Sequence, residues 1–240
     1  MAEEPIKLFA TRAERYPEPA EADCAQVIAR AGIATIPGIG GSINQLLSLV
    51  LTPAVERRRT EWLKELADAV DQLEKKDRGF KVEKLAGNEA FVSATIQATL
   101  IAIGTHQREK REYLRNALLN IARGTTSDEI KQQVFLNAIE AFTPAHIKAL
   151  NVIWRNGGLK IRWDENSIPI MKRTYGVAIG IVAPEVKGQT SLIGAILADL
   201  RNRGFSNLGG GDLAFPQGGI ITNLGVEFLN FVLSPEDLAR

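Results

Sequence analysis

Cysteine and histidine are the scarcest of the chemically useful residues in this sequence. One cysteine, Cys24, in 240 residues excludes an internal disulfide framework. With only His106 and His146 beside it, the chain has too few ligands for a structural zinc, and no metal or cofactor is expected. No Lys, Arg or His lies within five residues of Cys24, so it reads as a small apolar core residue rather than a reactive thiol. Charge of one sign is lacking too: 29 basic and 28 acidic side chains leave +1, so no whole-chain field draws the protein to nucleic acid or anionic lipid. The opening Met-Ala-Glu-Glu reaches its first apolar run only beyond Glu21, the opposite of a basic-then-apolar signal peptide, and a reducing, cytoplasmic setting is expected.

Catalytic punctuation is missing as well. Gly38-Ile39-Gly40-Gly41-Ser42 begins like a dinucleotide fingerprint, yet Ile43 stands where the third small residue belongs and no clean strand precedes it. Lys187-Gly188-Gln189-Thr190 has the wrong order for a phosphate loop and reads as a loop and helix start. There is no Gly-x-Ser-x-Gly elbow. His106 reads as a solvated helix residue, and His146, on the first turn after Thr143-Pro144, as a surface or packing residue. Glu109 and Glu112 lie among Arg108, Lys110, Arg111 and Arg115 as a salt-bridged helix face. No catalytic residue, cofactor-binding residue or small-molecule substrate is therefore assigned.

What is present is apolar periodicity. The 45% apolar and 24% charged fractions are those of a globular chain that folds. Residues 1–24, with several Glu and Pro, predict a loosely ordered lead-in. From Ala31 to Val55 no side chain is charged, and Pro37, Gly38, Gly40 and Gly41 argue against one straight helix across that stretch. Trp62, Leu63, Leu66, Val70 and Leu73 predict an amphipathic helix ending near Gly79. Val92, Ile96, Leu100 and Ile103 form a second stripe, and Leu114, Ala117, Leu118 and Ile121 a third, on either two helices or one long one. Thr126 and Glu129 predict a capping box for a helix with Ile130, Val134, Phe135 and Ile139 inside. Thr143-Pro144 restarts the chain ahead of Ile147, Leu150, Ile153 and Trp154.

The last third changes character. Leu159 to Trp163 alternates apolar and basic like a short strand, and an ambiguous apolar segment follows. A helix is predicted from about Thr190 to Arg203 with Leu192, Ile196 and Leu200 inward and Gly204 as its stop. Gly209 to Gly219 brackets a hairpin, and a closing helix carries Val226, Phe228, Leu229 and Val232. That order is the order of a winged helix. The expected fold is thus mainly α: a helical domain over 25–142 and a winged-helix-like α+β module over 143–240. The module's cations, Lys172, Arg173, Lys187, Arg201 and Arg203, suit phosphates better than bases, so any nucleic-acid binding is expected to be weak.

The uncharged Gly-rich segment running into TPAVERRRTEWLKELA, then HQREKREYLRNALLNIA, FTPAHIKALNVIW, and LADLRNRGF followed by ITNLGVEFLNFV, resembles bacterial Abi-alpha-type abortive-infection proteins. The resemblance implies a helical body with a winged-helix-like tail and a role in antiviral defence, and it transfers no active-site residue. The leading expectation is a non-enzymatic interaction or regulatory protein that binds protein partners or copies of itself. Two alternatives stay open. One is a membrane-disrupting cell-death effector using segment 31–55, with Gly38, Gly40, Gly41, Leu46 and Leu49 as its membrane-active residues, membrane-associated on activation. The other is a winged-helix DNA-binding regulator. In the resting protein, segment 31–55 is expected to pack on the Trp62–Leu73 helix and the Val92–Ile103 stripe.

Overall fold

The computed structural model describes residues 41–125, 128–156, 176–208 and 220–234, with backbone alone at 41–52 and 156. These residues are mainly helical, and their contacts divide the chain into two units, Met1–Gln107 and Arg108–Arg240.

The first unit is built on α1 (Gly41–Lys76) and α2 (Glu89–Gly104), joined through the 3-10 turn Val82–Gly87. α1 starts inside the uncharged segment and continues through Pro53, whose missing N–H leaves the Leu49 carbonyl without its helical donor. Residues 41–55 of the uncharged stretch and the amphipathic stretch after them are therefore one helix. Trp62, Leu66, Val70 and Leu73 are buried, as their spacing predicts, while Leu63 is half-buried, and α1 packs on α2. Asn88 caps α2 by accepting from the Phe91 N–H at 3.0 Å. The face α2 turns inward is Ala94, Ala98, Ile101 and Ala102. Val92, Ile96 and Leu100 point out, 36%, 60% and 68% exposed, and the expectation that this stripe faces the core is corrected. The reason is steric: alanines let a helix approach the bulky Trp62 closely, so the large residues of α2 are left to the other side.

The second unit holds α3 (Arg108–Ala122), α4 (Glu129–Ala141), α5 (Pro144–Asn156), α6 (Thr190–Asn202) and α7 (Asn223–Val232). The ambiguous apolar segment is helical over residues 176–182 and runs into the 3-10 turn Pro184–Val186. α3 packs on α4 and α7, and α5 on α6 and α7. At the centre Phe135, Phe142, Phe205, Phe228 and Phe231 converge, with ring centroids 4.8 Å apart for Phe205 and Phe228 and 5.2 Å for Phe135 and Phe231. Gly204, at φ 79°, turns the chain out of α6. Its N–H reaches Arg201 O and the Phe205 N–H reaches Leu200 O, both at 2.9 Å, a Schellman closure that drops Phe205 into the core. α7 starts against that turn: Thr222 accepts from the Gly225 N–H at 2.9 Å and donates to Gly204 O at 2.7 Å.

Four details of this unit differ from the sequence reading. α4 is capped by Asp128, whose carboxylate accepts from the N–H groups of Ile130 and Lys131, while Thr126 lies outside the described residues. With the cap two places later than expected, Ile130 and Val134 face solvent, and Phe135 and Ile139 alone of the predicted four are buried. Leu192 is likewise 43% exposed on the first turn of α6. The winged-helix α+β module finds no support: among the described residues the sole strand-like contact is an isolated antiparallel bridge between Ser206 and Ile221. Ile221 is committed at once to the entry of α7, which ends the bridge on that side. The predicted strand at 159–163 and hairpin at 209–219 lie outside the described residues.

Candidate functional site

The described residues offer three places where chemistry or binding can be sought. The first is a hydroxyl, an imidazole and a carboxylate in line. Thr143 Oγ1 lies 2.8 Å from His146 Nδ1, and His146 Nε2 lies 3.6 Å from Asp199 Oδ2. The order resembles that of a nucleophile, base and orienting acid, but the local chain explains it otherwise. Thr143 precedes Pro144 at the start of α5, and its backbone N–H also donates to His146 Nδ1 at 3.3 Å, so the histidine takes the reach-back role that a glutamate has in a capping box. With the Thr143 N–H donating to Nδ1, the Nε2 side of the ring faces Asp199.

Around it, the ring stacks on Phe142 at 5.0 Å and 10°, Arg203 lies 5.4 Å over the other ring, and Arg203 Nε meets Asp199 Oδ1 at 3.2 Å. Burial is the main force lowering the His146 pKa from 6.5; Asp199 opposes it, and Arg203 and Lys110 add to it. The positive end of the α5 dipole acts in the same sense. This cluster ties α5 to α6 and holds no nucleophile poised over a binding space.

The second place is a groove of about 490 Å³ lined by Asn120, Thr125, Asp128, Lys131, Glu227 and Asn230, floored by Phe135 and Phe231. Its polar groups are engaged with one another. Asn116 Nδ2 donates to Val232 O at 3.0 Å, and Asn120 Nδ2 donates to Asn230 O and Phe231 O at 3.1 and 2.9 Å, supplying donors to carbonyls that end α7. Lys131 Nζ meets Glu227 Oε2 at 2.7 Å, and Asp128 is the α4 cap. Lys110, similarly, donates to Glu140 O at 2.6 Å; burial lowers its pKa while Glu140 raises it. Among the described residues no three His, Cys, Asp or Glu side chains gather to hold a metal ion.

The third place is the outer face of α2. Val92, Ile96 and Leu100 lie four residues apart on a helix with no charge from Ala90 to Thr105. Arg58 Nη1 donates to Ile103 O at 3.2 Å at its C-terminal end, and Trp62 Nε1 donates to Thr99 Oγ1 at 3.0 Å at its centre. These bonds fix α2 on α1 by its alanine side. Sequence reasoning assigned this stripe to the core; the signal that would have placed it outside is the second stripe, Ala94, Ala98 and Ala102, at the same spacing.

The residues singled out in the sequence do not assemble into one site. Gly38, Gly40, Lys172 and Arg173 lie outside the described residues; Gly41 opens α1, and Leu46 and Leu49 belong to its first turns. Lys187 is exposed after the 3-10 turn, with its Cα 3.4 Å from where a Cβ on Gly180 would stand. Arg201 is half-buried in the last turn of α6, and Arg203 is held by Asp199 and Phe142. Of the three arginines after the uncharged segment, Arg57 pairs with Glu61 at 3.9 Å, Arg59 with Glu56 at 3.8 Å, and Arg58 with the end of α2. No helix among the described residues is long and apolar enough to cross a membrane. Comparison with known protein families, with curated proteins and with solved structures finds no match for this chain.

Proposed function

We propose that the protein is a non-enzymatic interaction or regulatory protein of a bacterial cell, acting through protein partners in antiviral defence. The defence setting rests on the resemblance of the segments quoted above to abortive-infection proteins. The binding reading rests on α2, a helix apolar on both sides with only one side covered by α1. An all-round apolar helix is ordinarily enclosed, and an outward apolar row on a folded unit is the mark of a surface that is covered in use. Crosslinking in cells producing the wild type and Leu100→Asp, followed by mass analysis, tests it. A specific crosslinked species lost in the variant, with helicity unchanged by circular dichroism, is the expected outcome. A chain that crosslinks to nothing, or equally well in both forms, contradicts it.

A second reading, a membrane-disrupting effector, is favoured by one observation: α1 carries the uncharged stretch unbroken through Pro53 into its amphipathic half. Leakage of dye from anionic vesicles, abolished by Leu49→Asp without loss of fold, would put this reading first. Wild type that leaves such vesicles sealed sets it aside.

A further inference from the structure

We draw no further inference here: the strongest candidate, the exposed row of Val92, Ile96 and Leu100 on the outer face of α2, carries none because nothing in the structure shows what covers it.

Discussion

In the unit Met1–Gln107 the face that α2 buries against α1 is mostly alanine and α1 buries Trp62, whereas in Arg108–Arg240 phenylalanines from α4, α7 and the connections around them meet one another. Large against small lets α1 and α2 approach closely, but it spends the small residues of α2 on the core and leaves Val92, Ile96 and Leu100 outside. Large against large, in the second unit, fills the core with phenylalanines, yet Ile130, Val134, Val177, Ile181, Val182 and Leu192 stay exposed beside pairs such as Lys131–Glu227 and Lys148–Glu109, both at 2.7 Å.

The comparison breaks most visibly at Phe228, which is fully buried against Phe135, Phe142 and Phe205. Phe228→Ala is expected to cost about 3–5 kcal/mol in urea unfolding. Leu100→Ala, on the outer face of α2, should cost less than about 0.5 kcal/mol under conditions where the protein is monomeric. Equal losses would mean that the α2 face is covered within the chain. Next in size is Gly225→Ala. A Cβ there would overlap the Phe205 carbonyl oxygen and come within 2.9 Å of Ile221 Cγ1, so the α6–α7 joint must open. A loss of about 1–3 kcal/mol is expected by the same measurement, and a neutral result would show that the joint is loose.

In the first unit, Thr99→Val removes the acceptor of the Trp62 indole N–H and should cost about 1–2 kcal/mol. An unchanged midpoint would mean that alanine packing alone fixes α2. The smallest expected effect is that of pH. The folded His146 pKa lies below its unfolded value near 6.5, so the unfolded chain takes up a proton first as pH falls. The stability tied to this residue is complete above that value and is lost as pH drops below it. His146→Gln keeps an acceptor for the Thr143 N–H and removes the titration, so the midpoint-against-pH curve should flatten below pH 6.5 and hold its neutral value. A variant curve with the wild-type slope would assign the acid sensitivity elsewhere.

Helix positions were legible wherever local chemistry decides them. Pro144 opens α5, Gly124 and Gly204 end helices at positive φ, and Trp62, Leu66, Val70 and Leu73 face inward as spacing demands. The facing of α2 was not legible from one stripe. Its apolar residues surround the helix, and the choice between an alanine row and a Val-Ile-Leu row depends on what α1 presents. The α4 cap was ambiguous for a related reason: Thr126 and Asp128 both offer oxygens in the sequence, and Asp128 is the one seen to accept from two N–H groups. The Thr143–His146 pairing was half visible, since the start of α5 could be read from Thr143-Pro144. The approach of Asp199 and Arg203 comes from a helix more than forty residues away and leaves no local signature.

That α2 packs by its alanine row and leaves the Val92–Leu100 row outside the fold is tested most directly by urea unfolding of Ile96→Glu beside Ala98→Glu. A midpoint changed by less than about 0.5 kcal/mol for Ile96→Glu, with a loss of more than about 2 kcal/mol for Ala98→Glu, is the predicted result. A loss of more than about 1 kcal/mol for Ile96→Glu would contradict it, because residue 96 would then be covered within the fold.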